Sequence, residues 1–278
     1  MMEKSKKISH KGIPLQYRDR GSGACIILLH GYLETGSVWD TFVPLLLDRF
    51  RVLVPDLPGH GKSGCWGEEH SMDELAEAVV AMLNAEGIDR ALIVGHSMGG
   101  YVSMAFADLF PERMSGYVLF HSTCFADNPE KKQNREREIS LVKCGRKQQI
   151  IVVNIPRAFA DENVDRLSGE VDYCKDLGLE NNEEGIVALL NGMKSRPDRS
   201  GVLSNPVFSL LLIGGEKDNY IPLEVFEKLV ALAPHATILR LQHSGHMGFI
   251  EEPQLAAAAL VKFSLRCGPG AFAGAVQP

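Results

Sequence analysis

The sequence predicts an α/β protein: a mainly parallel eight-stranded sheet flanked by helices, with a helical cap inserted into it. Three observations carry that expectation. Short apolar runs alternate with helical patterns through the first half of the chain. The runs are continuous rather than alternating, the pattern of strands buried on both faces. From residue 122 to 205 the alternation stops, and helical patterns follow one another without a convincing buried strand.

The buried-strand runs are residues 24–29, 52–54, 91–94, 116–120 and 207–213, with a weaker one at 236–241. Residues 6–10 and 13–20, joined across Lys11-Gly12, add an N-terminal hairpin. The clearest helix is 71–85. Ser71 and Glu74 form a capping box, Leu75, Val79, Met82 and Leu83 share one face, and Gly87 follows where a helix stops. A helical pattern runs from Tyr101 to Leu109, and Pro253 opens a last helix through 263. In the interrupted stretch, 128–142, 161–177 and 182–194 read as helices, while 150–155, followed by Pro156, reads as helix or strand. The expected organisation is a core of 1–121 and 206–267, a cap of 122–205 and a flexible Gly/Ala/Pro-rich tail of 268–278.

Composition sets the outer bounds. With 278 residues, 45% hydrophobic and 23% charged, the chain is globular. Its formal net charge of −6 gives no reason to expect nucleic acid, which calls for a basic face. Cys25, Cys65, Cys124, Cys144, Cys174 and Cys267 form no C-x-x-C pair and no zinc-like cluster, so they read as free thiols of a cytoplasmic protein. Neither metal nor cofactor is expected. Residues 1–10 are basic and polar with no apolar stretch behind them, so no signal peptide is expected, and no apolar run is long enough for a bilayer. The expected partner is a small-molecule acyl substrate; oligomeric state is left open.

The chemistry centres on Gly95-His96-Ser97-Met98-Gly99-Gly100, set between a buried strand and a helix. A serine on a sharp strand-to-helix turn needs neighbours without side chains two places before and after it, which Gly95 and Gly99 supply. The turn lifts the Ser97 hydroxyl above the sheet and puts the Met98 N–H at a helix N-terminus, where it can donate to an oxyanion. A serine needs a base. His246, in the loop after the last strand pattern, is the candidate, His243 reads as structural and His96 as packed beneath the turn. The base needs an acid to fix its tautomer. Asp218 follows the strand pattern at 207–213; Glu216 in the same loop and Asp127 are the rivals. The second oxyanion donor should come from His30-Gly31-Tyr32-Leu33, through the Tyr32 N–H or, alternatively, the Leu33 N–H.

Taken together these residues resemble the α/β-hydrolase fold superfamily. The resemblance extends over residues 30–64, 91–109 and 207–252 and includes the D-x-P-G-x-G-x-S loop, Asp56 to Ser63. It implies that this loop is structural and Asp56 not catalytic. Gly215 to Asp218 matches the pattern around the acid; Gly245-His246 with Glu251-Glu252-Pro253 matches that around the base. Serine at 97 sets the chain apart from epoxide-hydrolase and haloalkane-dehalogenase relatives, whose ester intermediate needs an aspartate there. The implied activity is hydrolysis of a small carboxylic ester through an acyl-enzyme. The alternatives are thioester or carbon–carbon hydrolysis on the same residues, or a small-molecule receptor that kept the hydrolase frame. Leu33, His121, Cys124 and Met247 are the candidate substrate-binding residues. Lys131, Lys132, Arg135, Arg137, Lys143, Arg146 and Lys147 make part of the cap basic, either as a solvated helix face or as an attraction for an anionic acyl substrate.

Overall fold

The computed structural model describes residues 4–267; the tail expected at 268–278 lies outside the described residues. Eight strands are present: β1 (Lys4–His10), β2 (Ile13–Gly21), β3 (Ala24–Leu29), β4 (Phe50–Pro55), β5 (Ala91–His96), β6 (Met114–Phe120), β7 (Leu210–Gly215) and β8 (Thr237–Leu241). They form one sheet in the order β1-β2-β4-β3-β5-β6-β7-β8. The β1–β2 hairpin and the β2–β4 pairing are antiparallel, and every other pairing is parallel.

Helices cover the sheet: α1 (Met72–Ala85), α2 (Met98–Leu109), then α3 (Pro129–Lys143), α4 (Lys147–Ala158), α5 (Asp161–Val164), α6 (Ser168–Glu180), α7 (Glu183–Ser195) and α8 (Ser200–Leu203), and finally α9 (Leu223–Leu232), α10 (Gly248–Glu251) and α11 (Pro253–Ser264). The Ser71–Glu74 capping box is formed, and α1 buries Leu75, Val79, Met82 and Leu83. Helices α3 to α8 all lie between β6 and β7 in the chain. None of the helices is long and apolar enough to cross a membrane among the described residues.

Three sequence expectations change. Residues 150–155 belong to α4, with Pro156 in its last turn. There the helix lacks the bond that position 156 would give to the Val152 carbonyl, and it ends two residues later at Ala158. The helix expected over 161–177 is broken in two. Asn163, on the first piece, is held by tertiary bonds from its Nδ2 to the His243 carbonyl (2.6 Å) and Glu251 (2.8 Å), which fix that turn apart from α6. The strand expected from Val207 starts at Leu210; Val207 is exposed, and its N–H caps on Asn205.

The parallel strands set up the site. β3, β5, β7 and β8 run the same way, and the loops leaving their carboxyl ends carry Tyr32, Ser97, Asp218 and His246. In open α/β sheets this end is where ligands bind.

Candidate active site

Ser97 stands between β5 and α2 with φ 51° and ψ −114°. A left-handed backbone costs a non-glycine residue on the order of 1–3 kcal/mol, so the turn must be held from outside. Two bonds to the neighbouring strand hold it: the Ser97 N–H donates to the Phe120 carbonyl (3.0 Å), and the Ser122 hydroxyl donates to the Ser97 carbonyl (2.7 Å). The flanking glycines are required by space. A Cβ at Gly95 would lie 2.2 Å from the Gly99 oxygen, and one at Gly99 would lie 2.4 Å from the Leu29 oxygen.

His246 Nδ1 lies 2.8 Å from Asp218 Oδ2. The Oδ1 atom of Asp218 accepts the N–H groups of Tyr220 (2.8 Å) and Ile221 (2.9 Å). A second ring, His121, places Nδ1 3.2 Å from the same Oδ2, while its Nε2 accepts the Gly248 N–H at 3.2 Å. The Gly215 N–H also points at His121 Nδ1 (3.2 Å), so each ring nitrogen faces a backbone N–H, and the Asp218 carboxylate is the acceptor that favours a proton on Nδ1. Burial pushes Asp218 upward, but the charge of His246 and the bonds from His121 and His246 outweigh it and hold the carboxyl well below the usual range. Burial lowers His121 to about 4, so it is neutral. His121, Asp218 and His246 are also close enough in ligand atoms to hold a metal ion. The contacts among them are those of a hydrogen-bonded chain, with each facing atom of the carboxylate already accepting a proton donor.

The loop after β3 presents its amides in a definite order. Gly31 N–H donates to Glu34 Oε2 (2.6 Å), and Leu33 N–H donates to His60 Nε2 (3.0 Å). The Leu33 amide is therefore committed, which removes the alternative oxyanion donor. Tyr32 and Met98 amides have no protein acceptor among the described residues. His60 donates through Nδ1 to the Gly59 carbonyl (2.8 Å), and burial beside His30 lowers it to about 3. His30 stacks on it at 5.8 Å and accepts the Leu57 N–H on Nε2 (2.9 Å). Two neutral imidazoles thus tie the loop after β3 to the D-x-P-G-x-G-x-S loop.

His96, beneath the serine turn, faces acceptors on both ring nitrogens: Glu34 on Nδ1 (3.1 Å) and the His246 carbonyl on Nε2 (2.9 Å). Both nitrogens must donate, so the ring is an imidazolium paired with a buried carboxylate. Burial opposes that charge, but the Glu34 charge and bond outweigh it and raise His96; Glu34, whose burial pushes it up, is lowered by His96. The pair joins the loop after β3 to the backbone of His246. Glu251 fixes the other side of that loop: it accepts the N–H groups of Gly245 (2.8 Å) and Met247 (3.2 Å), and Ala160 (2.8 Å) from the α4–α5 connection.

A cavity of about 500 Å³ lies over these groups. Ser97, His246, Tyr32, Leu33 and Met247 line it from the sheet side, and residues of α3, α4 and α7 line it from the other. Two expectations are corrected. His121 is buried behind Asp218 rather than on the cavity wall, because its ring is drawn to the carboxylate and to Gly248. Cys124 is buried in the core, its carbonyl accepting the Arg199 N–H, and does not line the cavity either. Of the rival acids, Asp127 is paired with Arg135 and Arg196, and Glu216 is exposed. Sequence reasoning did not assign roles to His60, Glu34 or Glu251. His60 and Glu251 carried a signal, in the glycine-rich loop and in the acidic pair after His246; Glu34 meets His96 across 62 positions, a contact no local pattern marks.

Comparison with known proteins agrees with the architecture. A family model described as the alpha/beta hydrolase fold matches residues 25–142. The chain is 29% identical over 245 residues to the dihydrolipoyllysine-residue acetyltransferase component of the acetoin cleaving system of Pseudomonas putida, with 87% of this chain and 63% of that one aligned. It thus spans less than two thirds of that relative's length. It is 28% identical to the pimeloyl-[acyl-carrier protein] methyl ester esterase of Yersinia enterocolitica, over 88% of this chain and 95% of that one. Among solved structures, a thermophilic esterase from Thermogutta terrifontis, with malate bound, superposes with a TM-score of 0.90 at 28% identity, covering 95% of this chain and 99% of that one. The sheet order, the site at its carboxyl edge and these likenesses agree: the chain has the α/β-hydrolase fold.

Proposed function

We propose that the chain is a serine hydrolase that cleaves small carboxylic esters through an acyl-enzyme. One observation carries the reading: His246 holds its Nδ1 proton on Asp218 at 2.8 Å, and it shares a cavity with Ser97. Its Nε2 is then the free acceptor that can take the Ser97 proton. Ser97 Oγ attacks the ester carbonyl as that proton moves to His246, and the Tyr32 and Met98 amides receive the oxyanion. His246 returns the proton to the leaving alkoxide. Water then adds to the acyl group with the same histidine as base, releasing the acid and restoring Ser97. The helices between β6 and β7 act as the cap that closes the cavity and selects the substrate. The unpaired cysteines suit a reducing, cytoplasmic setting. The esterase names of two relatives favour oxygen esters over thioesters and carbon–carbon bonds.

A fluorophosphonate probe tests the assignment. Wild type should be labelled on the peptide containing Ser97, and Ser97→Ala should not; equal labelling of both removes Ser97 from the mechanism. A parallel panel of p-nitrophenyl esters, acyl-CoAs and vinylogous diketones should show turnover of the first class.

A further inference from the structure

The far wall of the cavity is charged in a way that ester hydrolysis alone does not require. The protein carries a net −6, yet Lys131, Arg135, Arg137 and Arg157 line this one cavity against two carboxylates, Glu34 and Glu138. Glu34 is already matched by His96. A local reversal of sign inside an acidic protein concentrates anions at the opening.

Arg135 is the innermost of the four. Its Nε and Nη2 bind Asp127, and the same carboxylate takes Arg196 Nη1 at 2.8 Å. Asp127 is shared by two guanidiniums and Glu138 acts on Arg135 as well, so the excess positive charge of the cavity rests on Lys131, Arg137 and Arg157. Arg196 is held elsewhere: it also gives Nη1 to the Met193 carbonyl (2.7 Å) and Nη2 to the Phe125 carbonyl (3.0 Å), and it lies 3.8 Å over the Tyr101 ring. The Nη1 of Arg135 has no protein acceptor among the described residues. Nearby, the hydroxyl of Tyr32 is buried without a well-formed hydrogen bond, close to both the Arg135 guanidinium and the Glu138 carboxylate. A guanidinium N–H and a buried hydroxyl that lack a formed hydrogen bond each gain from an acceptor. A bound anion would supply an acceptor to both.

We propose that the cavity takes esters bearing a second, ionised carboxylate, bound by Arg135 and the Tyr32 hydroxyl and drawn in past Lys131, Arg137 and Arg157. The inference rests on the reading of this cavity as the ester-binding site. A carboxylate fits better than a phosphate or phosphonate, because Glu138, which accepts Asn154 Nδ2 at 2.9 Å on the same wall, repels a second negative charge.

The test measures binding without turnover, so it stands apart from the hydrolase assignment. The Ser97→Ala chain is titrated by calorimetry with monomethyl glutarate, dimethyl glutarate and methyl 4-phosphonobutanoate. Monomethyl glutarate should bind about tenfold or more tighter than the diester, the advantage of a charge-assisted bond. That advantage should shrink as salt rises from about 0.02 to about 0.3 M. It should fall severalfold in Arg135→Gln on the same background. If that variant fails to fold, a Lys131→Gln/Arg157→Gln double variant reads the same ratio, since neither residue forms an ion pair among the described residues. Equal binding of monoester and diester overturns the proposal, as does a preference unchanged in the folded variants. Tighter binding of the phosphonate than of the carboxylate overturns the carboxylate assignment. Labelled Ser97 with no anion preference would leave the hydrolase reading standing and sink this one; the anion preference with Ser97 unlabelled would do the reverse.

Discussion

Replacing Asp218 by asparagine should injure the protein in two separable ways. The Oδ1 of Asp218 accepts two backbone N–H groups, from Tyr220 and Ile221 at 2.8 and 2.9 Å, so the amide oxygen of an asparagine must occupy that side. Its NH₂ then faces His246 Nδ1 and His121 Nδ1, which now donate at 2.8 and 3.2 Å. His246 can escape the donor–donor clash by moving its proton to Nε2, and it then has no lone pair for the Ser97 proton. A wrong-tautomer histidine costs serine proteases roughly 10⁴ in kcat, equivalent to about 5.5 kcal/mol, and a similar loss is expected here. His121 faces the Gly215 N–H on Nδ1 and the Gly248 N–H on Nε2, both at 3.2 Å, so either tautomer leaves one donor–donor contact once the carboxylate is gone. A buried unsatisfied donor costs on the order of 1–3 kcal/mol, so Asp218→Asn should also unfold at lower urea. The assays are kcat/KM on p-nitrophenyl acetate and urea denaturation followed by circular dichroism. Turnover within about threefold of wild type would refute the assignment of acid and base, since that is far from the loss expected. Lost activity with an unshifted midpoint would refute the role given to His121.

His60→Ala should leave the Leu33 N–H unpaired and loosen the oxyanion loop, lowering kcat by roughly 10- to 100-fold with a smaller change in KM, as transition-state contacts do; an unchanged kcat would show that the loop is held without it. His60 and His121 are held at about 3 and about 4, below the unfolded value of 6.5. The unfolded chain therefore binds more protons as pH drops below 6.5, and at pH 5 each histidine should subtract about 2 kcal/mol from stability; a urea midpoint equal at pH 7 and pH 5 would contradict this. Glu34→Gln should strip His96 of its second ring proton, visible as one lost ring N–H in a histidine ¹H–¹⁵N spectrum at pH 7; a spectrum that keeps both ring N–H groups would refute the ion pair. Gly99→Ala pushes a Cβ to 2.4 Å from the Leu29 oxygen, so the turn cannot close as it stands, and a loss of several kcal/mol in folding stability is expected; normal stability with normal fluorophosphonate labelling would refute that crowding.

The fold was legible in the sequence where local patterning matched the structure. Strands such as Ala24–Leu29 are continuously apolar because helices cover both faces, and the Ser71 cap and following Gly87 bound α1 without help from elsewhere. The turn at Ser97 was legible for the same reason: the glycines it needs are two residues away. Tertiary contacts erased that legibility elsewhere. The apolar run at 150–155 is compatible with either regular structure, and only its place among the helices after β6 decides it. His121 is drawn off the cavity by Asp218, which lies 97 positions along the chain, and Glu34 meets His96 across 62. The partners of charged residues in the basic stretch are equally remote: Lys194 takes its Glu136 across 58 positions, and Lys147 donates to the Leu179 and Asn181 carbonyls. The sequence could name the charged residues there but not which of them remain without a protein partner.

The claim that Ser97 carries the acyl group is tested most directly by trapping it. Wild type mixed with p-nitrophenyl acetate and quenched in acid within the first turnover should show one added acetyl group on the peptide containing Ser97, with a burst of p-nitrophenol equal to the enzyme present. Ser97→Ala should show neither. An acetyl group found on another residue, or full turnover by Ser97→Ala, would contradict the account.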